Sequence, residues 1–273
     1  MTGASGFCGA VVARAAAGSG ADVVCVGRRP GPVGEHVFWD ATTGTPDLRG
    51  ADVVLHLAAA VGDSGPEREF AAVNVDGTRR LLEAAGTTPV VWVSSASVYR
   101  PGPYPAAVRE DRPTDGQRTA YGRTKAAGER LALAAGAVVL RPRAVYGRGD
   151  PHLLPRLRRT VRAGRAWLPG PDVTLSLTAV ENLASACLTA HRWPPGAYNI
   201  ADATPYSRDA AVAAVLGVPV RRVPARPVRM VAATGLLPAL TPYALDQITD
   251  GLVLDIGRAR ARGWTPKARL TTS

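Results

Sequence analysis

Short apolar runs at 22–26, 36–40, 52–59, 89–93 and 137–140 have the length and β-branched content of buried strands. Segments with a helical repeat lie between them: 10–17, a stretch opening near Pro66, and one around residue 121. In the stretch after Pro66, Phe70, Val73, Gly77 and Leu81 fall on one stripe, and Asn74 shares it. A buried amide must be hydrogen-bonded, so Asn74 reads as a structural brace between strands rather than as a catalyst. Strands alternating with helices predict a mostly parallel sheet. Beyond residue 150 the alternation loosens and proline becomes frequent. There the pattern predicts strands at 173–178 and 197–200 and helices at 181–191, 208–216, 228–236 and 242–249. A last readable segment spans 254–264. This half carries no catalytic motif of its own, which suits a substrate-binding cap.

The loops at the strand ends carry the chemistry. Gly3, Gly6 and Gly9 are spaced Gly-x-x-Gly-x-x-Gly and run straight into the first helical segment. Such a loop brings backbone amides and the positive end of a helix to a phosphate, with glycine where a pyrophosphate must come close. About 20 residues on, where an acidic side chain would hold an adenosine ribose, the chain has Arg28 and Arg29. Guanidinium pairs with a 2′-phosphate, so this site favours NADP over NAD. Ser94 and Ser95 follow the apolar run 89–93, which places them at the carboxyl end of a strand, where open parallel sheets bind ligands.

Tyr121 and Lys125 stand four apart, on one face of a predicted helix. An ammonium beside a phenol favours the phenolate and prepares the tyrosine for proton transfer. Tyr-x-x-x-Lys is a common accident of amphipathic helices, but of 33 basic residues only Lys125 and Lys267 are lysines. With arginine the default cation, Lys125 marks a place that needs a compact ammonium.

Composition changes this picture little. The formal charge of +11 raises the question of nucleic acid, but only three Phe are present and no aromatic-studded strand accompanies the arginine-dense stretch 156–165. That stretch reads as a solvated helix face, and anionic cofactors or substrates are the better use of the surplus charge. No apolar run is long enough to cross a bilayer, and no signal-peptide pattern opens the sequence. Cys8, Cys25 and Cys187 lack metal-ligand spacing and read as free thiols of a cytoplasmic protein.

Taken together, the loop 2–9 and the segments 52–59, 74–78, 94–99, 121–125, 140–147, 180–184 and 259–266 resemble the extended short-chain dehydrogenase/reductase family, also called the NAD-dependent epimerase/dehydratase family. The resemblance covers nearly the whole chain and rests on the order of its motifs. It implies an α/β doubly wound parallel sheet (Rossmann) over residues 1–150, with 176–200 returning to it. A smaller substrate-binding domain would make up most of 151–273. It implies hydride transfer between a nicotinamide cofactor and an alcohol or ketone, with Tyr121 as general acid/base. Lys125 would hold the nicotinamide ribose and lower the tyrosine pKa, and Ser95 would orient the substrate oxygen. Gly3, Ser5, Gly6, Phe7, Cys8 and Gly9 would shape the pyrophosphate site, and Asp40 would contact adenine. Leu57, Ala58, Ala59, Val93 and Ser94 would line the cofactor crevice, and the backbone after Pro142, reaching Val145, would face the carboxamide. The partner would be a small-molecule substrate, with no metal, nucleic acid or membrane, and a helix-mediated homodimer is usual for the family.

Two departures stand out. Only Met1 precedes Thr2 where the family has a full central strand, so the first strand reads as truncated and its neighbours as short of partners. About five to eight strand residues are therefore expected upstream of Met1, or else the chain is a degraded copy of an active relative. Leu175 stands where nucleotide-sugar members carry a phosphate-clamping arginine, although Arg221, Arg222 and Arg226 are alternative clamps. The leading reading is an NADP-dependent alcohol/ketone oxidoreductase. A nucleotide-sugar epimerase or dehydratase and a non-catalytic dinucleotide sensor are the alternatives.

Overall fold

The computed structural model describes residues 1–62, 64–151, 153–234 and 241–270. Its sheet half is built from the strands β1 (Val24–Gly27), β2 (Glu35–Phe38), β3 (Val54–His56), β4 (Val90–Val93) and β5 (Val138–Pro142). The helices α1 (Phe7–Gly18), α2 (Glu67–Ala71), α3 (Thr78–Ala85) and α4 (Ala120–Ala134) connect them. β3, β4 and β5 are parallel neighbours, and β1 pairs in parallel with β2. Alternate strand residues feed two cores. Leu55, Val91 and Leu140 pack with Val12 of α1, whereas Val54, Trp92 and Val139 pack with Leu81 of α3 and Ala132 of α4. Covering both faces explains why these strands read as unbroken apolar runs.

Between β1 and β3, Thr2 bridges in parallel to both Val26 and His56. Val26 N donates to the Met1 carbonyl at 2.7 Å, Thr2 N to Leu55 O at 2.9 Å, and Leu57 N to Thr2 O at 3.3 Å. The buried Thr2 hydroxyl also meets His56 Nδ1 at 2.6 Å. Met1 and Thr2 together therefore join β1 to β3 beside the glycine loop, and the neighbours are paired at that level rather than left open.

The predicted helix after Pro66 is interrupted. α2 gives way to a π-helical turn over Ala72–Gly77 before α3 begins. Such turns widen a helix locally and re-aim its side chains. Here the turn carries Asn74, whose Oδ1 accepts from Ala60 N at 2.9 Å. Its Nδ2 donates to Ala60 O at 3.0 Å and to Thr124 Oγ1 at 3.1 Å. The brace thus ties the loop after β3 to α4, rather than strand to strand.

The second half adds β6 (Val145–Tyr146), α5 (Leu153–Arg158), β7 (Val161–Arg162), β8 (Arg165–Pro169), β9 (Thr174–Leu175) and β10 (Thr178–Ala179). After these come α6 (Val180–Ala190), β11 (Gly196–Ile200), β12 (Tyr206–Ser207), α7 (Arg208–Leu216) and β13 (Val220–Val223). α8 (Ala225–Ala233), α9 (Pro242–Thr249) and α10 (Gly257–Arg260) close the described chain. β11 returns to the main sheet as the parallel neighbour of β5, and α6 packs beside α1 through Leu183 and Cys187. β13, β8 and β7 form a small separate sheet.

Several expectations fail in this half. The arginine-dense stretch 156–165 is not one helix face: α5 ends at Arg158, and β7 and β8 pair antiparallel around Ala163 and Gly164, both at positive φ. A left-handed pair such as Ala-Gly makes a tight turn and cannot continue a helix. The single strand expected at 173–178 splits, because β9 pairs with β12 and β10 with β6. Of 254–264 only Gly257–Arg260 is helical. α8 begins at Ala225, earlier than expected, and residues 235 and 236 of the predicted helix lie outside the described residues.

Candidate active site

The glycine loop lies against the end of β3. Gly3 has φ +74°, and a Cβ there would stand 2.6 Å from Ala58 N. A Cβ on Gly9 would come within 2.0 Å of Gly3 O, and one on Gly6 would meet the same oxygen at 3.3 Å. Any larger residue at Gly3 or Gly9 would force the backbone apart. α1 starts at Phe7 with Gly6 as its cap, no side-chain cap bond and no acidic residue in its first turn. Its amide end therefore faces the space above the loop, a setting suited to an anion.

That space is a cavity of about 860 Å³ running from the glycine loop across the strand ends into the second half. Gly3, Ser5, Gly6, Phe7, Cys8 and Gly9 line it, with Arg28, Arg29 and Asp40 from the ends of β1 and β2. Leu57, Ala58, Ala59, Val93, Ser94, Ser95, Tyr121, Lys125, Pro142 and Val145 line it further along. The catalytic and cofactor-binding residues named from sequence thus meet at one cavity, although separated by up to some 140 positions in the chain. Arg28 and Arg29 are exposed at its rim. Asp40 Oδ1 accepts from Thr42 N at 2.8 Å and Thr42 Oγ1 at 2.7 Å. Those bonds, helped by Arg28 and Arg80, hold its carboxyl below the usual range.

Thr119 fixes the start of α4: its hydroxyl accepts from Gly122 N at 3.0 Å. Tyr121 falls in the first turn and Lys125 one turn later, both at the cavity wall. Ser95 Oγ accepts from Ser97 N at 3.1 Å and reaches Ser97 Oγ at 3.1 Å. The Lys125 ammonium donates to Val93 O at 2.7 Å and sits 3.7 Å from the centroid of the Trp92 ring. Burial brings its pKa down from 10.5 to about 7, against an upward pull from Glu129.

Ser94 is aimed elsewhere. Its hydroxyl donates to Glu129 Oε2 at 2.5 Å, and Glu129 is paired with Arg141 at 2.5 Å, both buried. Arg141 also donates to Tyr99 Oη at 2.9 Å, and Tyr99 to Asn199 Oδ1 at 2.6 Å. The exit of β4 is thus strapped from behind by α4, β5 and β11. This network was not anticipated, although Glu129 four residues after Lys125 on the same helix was its visible signal.

The far wall is apolar: Leu153, Leu154, Leu157, Leu175, Leu177, Val212, Val215 and Ile248. Arg221, Arg222 and Arg226 do not line the cavity; Arg222 turns to Asp209 at 2.7 Å. The arginines that do line this part are Arg143, Arg156 and Arg208. Arg208 is engaged by Pro169 O, Ile248 O and Asp209, and Arg143 by Ser176 O and Gln247 O. Among the described residues no group of three or more His, Cys, Asp or Glu could hold a metal ion, and no helix is long and apolar enough to cross a membrane.

The family model for the NAD dependent epimerase/dehydratase family matches residues 1–201. A ketoreductase of Stigmatella aurantiaca, acting on 4-hydroxy-2-methyl-3-oxo-4-farnesyl-3,4-dihydroquinoline-1-oxide, is 33% identical over 58% of this chain and 51% of its own length. A 3-beta-hydroxysteroid dehydrogenase of Mycolicibacterium neoaurum is 29% identical over 83% of this chain and 72% of its own. The chain thus spans about half the length of the ketoreductase it matches. Among solved structures, MoeE5 in complex with UDP-glucose and NAD superposes with TM-score 0.76 at 27% identity, over 98% of this chain and 93% of that one.

Proposed function

The chain belongs to the NAD dependent epimerase/dehydratase family, and from that premise we propose that it is an NADP-dependent oxidoreductase acting on an apolar alcohol or ketone. The observation that carries the reading is the meeting of Ser95, Tyr121 and Lys125 at one wall of a cavity floored by a glycine cradle. The cradle fits a dinucleotide: the room a Cβ would fill at Gly3 and Gly9 is already taken by backbone, so at those positions the loop presents backbone and no side chain. Residues 1–150, with 176–200, serve the cofactor, and the remainder mainly the substrate.

Gly3, Ser5, Gly6, Phe7, Cys8 and Gly9 would hold the pyrophosphate, Asp40 the adenine, Lys125 the nicotinamide ribose, and the backbone between Pro142 and Val145 the carboxamide. Arg28 and Arg29 at the rim are the cations for a 2′-phosphate. When bound, the cofactor supplies or accepts hydride at the substrate carbon. In reduction, Tyr121 donates its phenolic proton to the substrate oxygen, and in oxidation its phenolate takes that proton back. Lys125, charged, favours the phenolate, and Ser95 hydrogen-bonds and aims the same oxygen. Cys8, Cys25 and Cys187 are unbridged, in keeping with a cytoplasmic setting.

The second reading, a nucleotide-sugar epimerase or dehydratase, draws on the likeness to a structure holding UDP-glucose. Leu175 and the leucine wall weigh against it, while Arg143, Arg156 and Arg208, which line the same part, are the cations a sugar-nucleotide diphosphate would draw on. Titration with both cofactors and turnover on alkyl ketones beside UDP- and dTDP-sugars tests the reading. Charge-assisted guanidinium–phosphate bonds of roughly 1.5–3 kcal/mol predict at least tenfold tighter NADP binding, lost in Arg28→Ala. Equal NAD binding removes the cofactor preference, and turnover of sugars but not ketones removes the substrate class.

A further inference from the structure

Lys125 poses a physical problem. It is 2% exposed, and an ammonium out of water loses its charge unless its surroundings replace the solvent. Three groups stand around it: the Val93 carbonyl at 2.7 Å, the Trp92 ring face at 3.7 Å, and Glu129 one turn along α4. Glu129 already has a closer cation in Arg141 at 2.5 Å, bound through both guanidinium nitrogens on that side. Of the other titratable groups on the packed elements, Tyr121 lies a turn earlier on α4. His56 of β3 is buried behind Trp92, its ring 6.5 Å from the indole and its pKa pushed down to about 3 by burial and then by Lys125 itself. Among the described residues, the indole face is the compensator with no competing cation.

We propose that Trp92 is a positioning residue for Lys125, its ring face holding the ammonium charged and fixed at the cavity wall. The proposal rests on the role given above to Lys125. A desolvated ammonium over an indole face is the strongest form of this contact, because tryptophan has the largest negative face of the aromatic side chains. The ring itself is held. Trp92 is fully buried, and its Nε1 donates to Thr78 Oγ1 at 3.3 Å, which donates in turn to Asn74 O at 2.9 Å. Gly128 of α4 leaves the room: a Cβ there would stand 3.1 Å from Trp92 Cζ2 and 2.1 Å from Asn74 O. A compact ammonium fits between ring and carbonyl, which explains lysine here in a chain that otherwise uses arginine.

The test compares Trp92→Phe and Trp92→Leu in the full chain, reading the pH profile of kcat/KM for ketone reduction and the melting temperature of each. Both variants shrink a buried ring and should melt lower. The alkaline limb, set in reduction by loss of the Tyr121 phenolic proton, should move by about one pH unit to higher pH in Trp92→Leu, where a less charged Lys125 favours the phenolate less, and by much less in Trp92→Phe. An unmoved limb in Trp92→Leu, or equal shifts in both, overturns the proposal. Should Trp92→Leu not fold, fluorinated tryptophan, which withdraws charge from the ring face at nearly constant volume, replaces it. The limb should then move in the parent chain but not in Trp92→Phe, and equal behaviour overturns the proposal. Lys125→Met separates the two levels. If it keeps full turnover, the reading of the site falls; if it is inactive while the limb stays fixed in Trp92→Leu, only the role of Trp92 falls.

Discussion

The two walls of the cavity are built on different terms. On the glycine-loop side the shape is set by backbone: a Cβ at Gly3 or Gly9 has no room, Thr2 pins β1 to β3, and strand ends deliver Val93, Ser94 and Ser95. On the far side the shape is set by leucine and valine side chains carried on short elements, such as α5 with six residues and β9 with two. Backbone geometry tolerates no gradual change, whereas apolar side chains can be exchanged at modest cost. In the proposed reading the first wall would fix the chemistry and the second would choose the substrate.

The largest expected effect tests the first wall. Tyr121→Phe should lower kcat by about 10²–10⁴-fold while NADP affinity, read by fluorescence titration, stays nearly intact. Lys125→Met should damage both, since the proposed reading gives it the ribose as well as the tyrosine. If Tyr121→Phe keeps substantial turnover, the contrast between the walls has no chemical meaning.

A smaller effect concerns acid. His56 lies under the loop wall with its pKa pushed from 6.5 to about 3 by burial, then by the charge of Lys125. Below pH 6.5 the unfolded chain takes up a proton that the folded chain refuses. This contribution to stability is complete above pH 6.5 and is lost as pH falls toward 3, roughly 2 kcal/mol by pH 5. Melting temperature against pH should fall through that range, and His56→Gln should flatten the slope. A slope unchanged by His56→Gln would place the acid-sensitive group elsewhere.

The smallest effect tests the second wall. Val215 lines the cavity yet is 39% exposed, so Val215→Ala should leave stability within about 0.5 kcal/mol. It should raise KM for a long-chain ketone a few-fold with kcat unchanged, below the ~10-fold that a fully enclosed methylene can supply. A fall in kcat with KM constant would mean that this wall takes part in the chemistry.

Much of the sheet half was legible because its signals are local. Buried parallel strands show as unbroken apolar runs, and the Gly-x-x-Gly-x-x-Gly spacing of Gly3, Gly6 and Gly9 ahead of a helical run marks the loop in the string itself. Tyr121 and Lys125 share a helix face by period alone. The arginine-dense stretch was misread because periodicity cannot see that Ala163 and Gly164 turn through positive φ. The π-helical turn at Asn74 was hidden for a similar reason: one residue of slippage leaves the apolar stripe nearly intact.

What the sequence determined by itself was the order of strands and helices in the sheet half, the glycine loop and the Tyr–Lys pair, all set by steric and periodic rules within a few residues. Only the tertiary structure decided that Thr2 would bridge β1 and β3, that Ser94 would turn to Glu129 and Arg141, and that Lys125 would rest on Trp92. Those outcomes depend on which groups, distant in the chain, must satisfy one another once water is excluded, and no local pattern carries that information.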